Sequence, residues 1–257
     1  MSSRLKGKIA FFTAAGSGIG LTSSIRLALE GANVWISDRD AAILEEAKKI
    51  GVAQGVVLNT IEADSTKSDS LKTAIDSIFR DSGRIDILVN NAGGSLHTPY
   101  QFLDETDEDW KRVLDLNVMG TVVASRFVLP YMQQQKSGRI INFGSKAGRF
   151  GSLIAGANYA AAKGAISSIT RQLAMEFGPD GITVNCICPG VVLTKRTTGL
   201  WESRRTPEER AKVLLEIPLR RHAVADDISG VVAFFASDDA GFITGATLDV
   251  NGGQGMA

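Results

Sequence analysis

Residues 9–38 read IAFFTAAGSGIGLTSSIRLALEGANVWISD, and this stretch decides the fold. A continuous apolar run, Ile9–Ala14, reads as a strand buried on both faces. It enters a glycine-rich turn, Thr13-Ala14-Ala15-Gly16-Ser17-Gly18-Ile19-Gly20, and then a helical stretch near 18–30. Strand, glycine turn and helix N-terminus together direct backbone N–H groups and a positive dipole end at one point, the arrangement that holds a pyrophosphate. Gly18 and Gly20 let the backbone come close and the helix pack on the strand. A second strand, Asn33–Ser37, ends at Asp38, twenty residues past Gly18. A carboxylate there accepts from adenosine ribose hydroxyls and repels a 2′-phosphate, which favours NAD over NADP. Arg39 opposes that preference, because a guanidinium can bind the phosphate. Asp38 also has a plain reading, as a cap before Arg39-Asp40-Ala41.

The same rhythm continues outward. Further strand candidates are Val56–Ala63, Ile85–Val89, Arg139–Phe143, Thr183–Ile187 and Thr247–Val250, with helical stretches near 40–50, 68–82, 106–135, 155–178 and 226–237. Alternating strands and helices predict an α/β fold: about seven parallel strands with right-handed crossovers and helices on both faces. With no linker, repeat or low-complexity tract, residues 1–257 are expected to form a single domain. One insertion, at about 190–222, breaks the rhythm. Within it Thr206-Pro207-Glu208-Glu209 predicts a helix start: Thr206 caps, Pro207 takes the first helical position and Glu209 completes a capping box. Insertions of this length are commonly active-site lids, with a surface excursion as the alternative.

Composition excludes several classes. Among 257 residues, 28 Lys plus Arg balance 28 Asp plus Glu, with 22% charged and 44% apolar residues. Disorder needs lower hydrophobicity and higher net charge, and a nucleic-acid partner would call for a basic excess. The longest obvious apolar run, Val231–Ala236, is far short of the roughly 18 residues a membrane span needs. The start, MSSRLKGKIAFFTAAG, mimics a signal peptide, but its apolar stretch breaks at Thr13 and runs into the glycine turn. The only two cysteines, Cys186 and Cys188, stand two apart in a strand-like run, which is poor disulfide geometry. They read as core thiols rather than a redox or metal pair, and place the chain in a reducing, cytoplasmic compartment.

Tyr159 and Lys163 are four apart in a helical stretch, so both face one way. A free phenol titrates near 10, and acid–base work near neutrality needs a shift of about three units, roughly 4 kcal/mol. A lysine ammonium on the same face and a cationic nicotinamide ring can supply it.

These residues bring a family into view. From residue 6 to residue 253 the chain resembles the short-chain dehydrogenase/reductases, in the branch of about 250 residues that includes the 3-oxoacyl reductases. The resemblance is carried by the glycine loop at 13–20, Asp64 after the third strand, Asn90-Asn91-Ala92-Gly93, Asn117, Ser145, Tyr159-xxx-Lys163, Pro189-Gly190-xxx-Thr194 and Ile243-Thr244-Gly245. It implies a doubly wound Rossmann domain with a substrate lid, and an oxidoreductase moving hydride between NAD(H) and a secondary alcohol or ketone. Tyr159 would exchange the proton with the substrate oxygen, Lys163 would lower the tyrosine pKa and hold the nicotinamide ribose, and Ser145 would bond the substrate oxygen. Asn117 would hold a water linking Lys163 to solvent. Cofactor contacts would come from Ala14, Ser17, Gly18, Ile19 and Gly20, from Asp38, Asp64 and Ser65, from Asn91 on the adenosine side, and from Val192 and Thr194 at the carboxamide. No metal is expected, because His97 and His222, with no cysteine or carboxylate cluster at ligand spacing, read as surface or lid residues. The family also implies a homotetramer with D2 symmetry built on the small-residue helix 155–178. Ser145 and Asn117 keep plain readings, as a turn residue and a satisfied buried amide.

Two departures stand out. The family's usual Thr-Gly at the loop start is Thr13-Ala14 here, which puts a Cβ where the turn may need glycine-like angles. Ser145 to Tyr159 spans fourteen residues, one more than usual for the family, and the extra residue falls within Arg149–Ala157. Substrate choice is left to the insertion. Its stretch 194–212 holds Lys195, Arg196, Arg204, Arg205, Arg210 and Lys212 against three glutamates. That excess suits an anionic substrate, or else a solvated helix face. Leu200 and Trp201 close an apolar pocket or anchor the lid. Rival readings are an NADPH-dependent 3-oxoacyl thioester reductase and a non-catalytic dinucleotide sensor, for which Ala14 is the hint.

Overall fold

The computed structural model describes residues 3–152 and 154–256, with their side chains apart from those of residues 195, 196 and 200. Seven strands are β1 (Ile9–Phe12), β2 (Asn33–Asp38), β3 (Leu58–Glu62), β4 (Ile87–Asn90), β5 (Gly138–Phe143), β6 (Ile182–Pro189) and β7 (Thr247–Val250). They pair in parallel in the order β3-β2-β1-β4-β5-β6-β7. The winding direction reverses between β1 and β4, so the carboxyl ends of those strands open a crevice. The helices are α1 (Gly18–Leu29), α2 (Ala41–Ala53), α3 (Ser68–Ser82), α4 (Asp107–Leu114), α5 (Gly120–Gln135), α6 (Ala147–Phe150), α7 (Ala157–Phe177), α8 (Lys195–Arg204), α9 (Pro207–Glu216) and α10 (Ala225–Ala236).

Side chains alternate across the sheet as a period of two demands. In β1, Ala10 and Phe12 enter one apolar layer and Ile9 and Phe11 the other. The first layer also takes Ile25 of α1, Leu44 of α2 and Val232 of α10. The second takes Ile75 of α3, Val128 of α5 and Ala174 of α7. Each fully buried Leu, Ile or Val contributes about 1.5–3 kcal/mol, so these two layers hold the sheet between its helices.

The sequence expectations meet this fold with four adjustments. β1 stops at Phe12 rather than Ala14, because Ala14 turns into the left-handed region at φ 48° and ends the ladder. β3 spans Leu58–Glu62 within the expected 56–63. The single helix expected over 106–135 is divided by a π-helical turn, Asp115–Met119, between α4 and α5. That stretch, Asp107–Gln135, is long and apolar enough by composition to cross a membrane, yet half of its most apolar window is buried inside the protein, where α5 covers the sheet. Finally, residues 189–222 hold two helices. α9 begins as expected, with Thr206 and Glu209 forming the capping box. α8 was not expected, and its cap is Thr194, paired with Thr197. Cys186 and Cys188 lie buried on one face of β6 against Ile166 of α7, their sulfurs 3.9 Å apart as free thiols.

Candidate active site

The crevice is built first by the loop after β1. The Thr13 hydroxyl accepts from the backbone N–H groups of Asn91 and Ala92, both at 3.1 Å, which ties the ends of β1 and β4 together. The Asn91 side-chain amide donates to the carbonyls of Thr13 (3.1 Å) and Ala14 (2.8 Å), so its N–H groups clamp the loop. A Cβ on Gly20 would lie 2.5 Å from that amide nitrogen and 2.9 Å from the Ala15 Cα. Only glycine lets the first turn of α1 approach so closely. Ser17 caps α1 without a side-chain hydrogen bond, and Gly18 (φ 58°) faces Thr194 across the crevice, its Cβ position 3.6 Å from the Thr194 methyl. Ile19 is half-buried beside them.

Asp38 ends β2 half-buried, with Arg39 exposed beside it. A Cβ on Gly16 would lie 3.1 Å from Asp38 Oδ2, so the carboxylate leans over the glycine loop. Asp64 follows β3. Burial pushes its carboxyl up, but hydrogen bonds from the Thr66 N–H and hydroxyl, with Arg39 and Lys67 nearby, outweigh burial and leave it below its ordinary value. The Ser65 hydroxyl is buried without a hydrogen-bond partner among the described residues. An uncapped helix start, a glycine cradle, a carboxylate over the loop and an orphaned buried hydroxyl together fit a dinucleotide lying across the ends of β1–β4.

The second cluster gathers at the ends of β4 and β5. Lys163, on α7, is buried and donates from Nζ to the Phe143 carbonyl at 2.8 Å. Its ammonium lies 5.8 Å from the Tyr159 ring centroid. Asn117 sits in the π-helical turn, fully buried. Its Oδ1 accepts from the Gly94 N–H at 3.0 Å and its Nδ2 donates to the carbonyls of Gly94 (2.9 Å) and Val113 (2.8 Å). A Cβ on Gly93 would lie 2.7 Å from Asn117 Oδ1 and 2.8 Å from Lys163 Nζ, so Gly93 keeps the space between them open. Ser145 stands two residues past Phe143, its hydroxyl accepting from the Ala147 N–H at 3.1 Å. A Cβ on the preceding Gly144 would press on both thiols, at 2.8 Å from Cys186 and 2.6 Å from Cys188. α7 is registered on the sheet by a buried chain in which Asn90 donates to Asn142 (2.8 Å) and Asn142 to Thr170 (2.9 Å).

At the far end of the crevice, Val192 is buried and bridges Ala223, and its carbonyl accepts from the Thr197 hydroxyl at 2.6 Å. The Thr194 hydroxyl caps α8 at the Thr197 N–H. Trp201 is buried edge-on against His222, ring centroids 5.0 Å apart, and so anchors the excursion; burial lowers the His222 pKa. The side chains of Lys195, Arg196 and Leu200 lie outside the described residues. Of the other cations, Arg205 pairs with Glu209 at 3.4 Å, and Arg204 is bonded to backbone carbonyls. Sequence reasoning missed Thr13 as the pin of the loop, and Glu105. Glu105 accepts from the Asn158 N–H at 3.2 Å, in the first turn of α7. Its partner is fifty-three residues away, so no local pattern could have shown it.

Comparison with known proteins agrees with this geometry. A family model described as enoyl-(acyl carrier protein) reductase matches residues 13–254. The 2-(S)-hydroxypropyl-CoM dehydrogenase 3 of Xanthobacter autotrophicus is 38% identical, over 99% of this chain and 99% of that protein. The 3-oxoacyl-[acyl-carrier-protein] reductase FabG of Staphylococcus epidermidis is 37% identical, over 97% of this chain and 99% of that protein. Among solved structures, NAD+-bound xylitol dehydrogenase superposes with a TM-score of 0.89 at 33% identity, covering 97% of this chain and 100% of that one. The chain belongs to the short-chain dehydrogenase/reductase family, in the branch that includes the 3-oxoacyl reductases. It is an oxidoreductase of the nicotinamide-dinucleotide-dependent kind, acting on alcohols and ketones or on 3-oxoacyl groups.

Proposed function

We propose that the protein is an NAD(H)-dependent dehydrogenase/reductase that interconverts a secondary alcohol and its ketone. The observation that carries this reading is the Lys163 ammonium, which stands 5.8 Å from the Tyr159 ring, shares the space beside Gly93 with Asn117, and is held by the Phe143 carbonyl two residues before Ser145. When bound, the nicotinamide supplies or accepts the hydride. Tyr159 exchanges the proton with the substrate oxygen, and Ser145 bonds that oxygen. Lys163, fixed by the Phe143 carbonyl, favours the phenolate by its charge. Asn117, with its side chain committed to Gly94 and Val113, holds the π-helical turn open beside Lys163 for a proton-carrying water. Gly18, Ile19 and Gly20 take the pyrophosphate, Asp38 the adenosine ribose, Asp64, Ser65 and Asn91 the adenosine side, and Val192 and Thr194 the carboxamide. The body is one domain, and residues 190–222 form a lid over the substrate.

The substrate is a small alcohol or ketone, and the positive stretch 194–212 supports an anionic one. A second reading, an NADPH-dependent 3-oxoacyl thioester reductase, is favoured by exposed Arg39 beside the ribose end and by the resemblance to FabG. Copies of the chain pair through α7 into a homotetramer, which the exposed positions Ala161, Ser168 and Met175 along one side of that helix support. The buried free thiols support a cytoplasmic setting.

Parallel titration with NADH and NADPH, followed by quenching of the three tryptophans, tests the cofactor assignment. Tighter NADH binding is expected and opens a screen of NAD-linked alcohols. Tighter NADPH binding would shift the assignment to the second reading, and binding of neither would remove the enzyme reading.

A further inference from the structure

We propose that Arg204 is a latch that holds α8 against the two loops flanking Tyr159, and so acts as a positioning residue for substrate turnover. The inference rests on the active-site reading above. Arg204 Nη1 donates to the Ile154 carbonyl at 2.6 Å and Nη2 donates to the Thr98 carbonyl at 2.9 Å. Its guanidinium carbon stands 5.2 Å over the Tyr100 ring. One planar group therefore joins three separate parts of the chain: the excursion, the loop after β4 and the loop leading into α7.

Both loops touch the site. In the first, Leu96 (φ 52°) and His97 (φ 58°) take consecutive left-handed conformations that side-chain-bearing residues disfavour, so the segment needs outside restraint. Thr98 supplies part of it, donating from its hydroxyl and its N–H to the Ser95 carbonyl at 2.9 and 3.0 Å. Thr98 also meets the Asn158 side-chain amide at 3.3 Å, and Asn158 directly precedes Tyr159. The second loop, residues 154–156, lies within Arg149–Ala157, where the extra residue between Ser145 and Tyr159 falls, and leads directly into α7. Arg204 thus ends a contact chain that runs through Thr98 and Asn158 to the catalytic tyrosine.

The chemistry of the group suits the task. A guanidinium presents two parallel donors at fixed spacing, whereas a lysine ammonium is a point charge on a flexible stem and cannot hold both carbonyls in one geometry. The charge of Arg204 is spent on the protein itself, which separates it from a role in attracting an anion. Movement of α8 away from the body breaks both bonds and frees Thr98 and Ile154 together. Lid position and the seating of Tyr159 are thereby linked.

The test uses the full chain with Arg204→Met, Arg204→Lys and, as a charge control, exposed Lys49→Gln on α2. Steady-state kinetics with the best carbonyl substrate are read beside NADH affinity and amide hydrogen exchange. Arg204→Met is expected to lower kcat/KM by about tenfold or more, the scale of one lost charge-assisted hydrogen bond. Exchange should quicken in residues 94–100 and 154–156, with NADH affinity unchanged. Arg204→Lys should behave like the Met variant, and Lys49→Gln like the wild type. Unchanged exchange in both loops overturns the latch, as does unchanged kcat/KM, or a loss in Lys49→Gln equal to that in Arg204→Met. Should the wild type turn over no carbonyl compound, the active-site reading fails, while the exchange measurement still decides whether Arg204 holds the loops. Should Arg204→Met fail to fold, the Lys variant carries the same comparison.

Discussion

The Lys163 ammonium lies 5.8 Å from the centroid of the Tyr159 ring while donating to the Phe143 carbonyl at 2.8 Å. Tyr159 and Lys163 share one face of α7, and the carbonyl comes from the end of β5, so helix and sheet together fix the charge beside the phenol. Replacing Lys163 with Met removes that charge and leaves the buried Phe143 carbonyl without this donor. Turnover is expected to fall by about 10²-fold or more, and stability by about 1–3 kcal/mol. Parallel kinetics and urea denaturation check both. Retention of full activity would remove Lys163 from the catalytic group.

Asp38, at the end of β2, leans over Gly16 of the glycine loop. In Asp38→Ser the carboxylate that repels a 2′-phosphate is gone, and exposed Arg39 remains to attract it. The ratio of NADPH to NADH affinity is expected to rise by about tenfold or more, equivalent to roughly 1.4 kcal/mol. Fluorescence titration of both cofactors reads it directly, and an unchanged ratio would place the ribose elsewhere.

Ala14 carries φ 48°, so the departure noted in the sequence is a real backbone cost. A left-handed conformation costs a side-chain-bearing residue roughly 1–2 kcal/mol, and glycine returns about 0.4–1 kcal/mol of that through its freer unfolded chain. Ala14→Gly should therefore stabilise the protein, by about 0.5–1 kcal/mol, or a rise in Tm of about 1–4 °C. Thermal melting with and without NADH measures it. A lower Tm would show that the Ala14 methyl contributes packing that outweighs the strain.

Arg221 meets Asp227 at 2.6 Å, and its hydrogen bonds, aided by the Val224 N–H, hold the Asp227 carboxyl down to about 2. A depressed carboxylate pKa contributes stability that is present above the unfolded value and lost as pH falls through the folded one. The stability gap between wild type and Arg221→Gln should thus be constant above about pH 5 and close between about pH 4 and pH 2. It should be small, since the pair is largely exposed. Denaturation midpoints across that range check the sign, and a gap that widens on acidification would contradict it.

What could be read from the sequence was local. The glycine loop, Asp38 at a strand end and the Tyr159/Lys163 spacing are short patterns, and the fold sets Asp38 over the loop and Lys163 beside the Tyr159 ring. The α9 start was legible because Thr206, Pro207 and Glu209 satisfy the same helix end. The residues that were not legible act across the fold. Gly144 is small because two thiols from β6 press on it, Glu105 caps a helix far along the chain, and Arg204 finds carbonyls at residues 98 and 154. The π-helical turn at Asn117 escaped for the same reason: its side-chain bonds run to Gly94, beyond any helical period.

The central claim is that Tyr159 performs the proton transfer, and Tyr159→Phe tests it most directly. The measurement is kcat for NADH-dependent reduction of the best ketone, taken beside NADH affinity on the same samples. The account predicts a loss of about 10²–10⁴-fold in kcat, the scale of a general acid, with NADH affinity retained. An unchanged rate would contradict it, whichever cofactor and substrate the enzyme prefers.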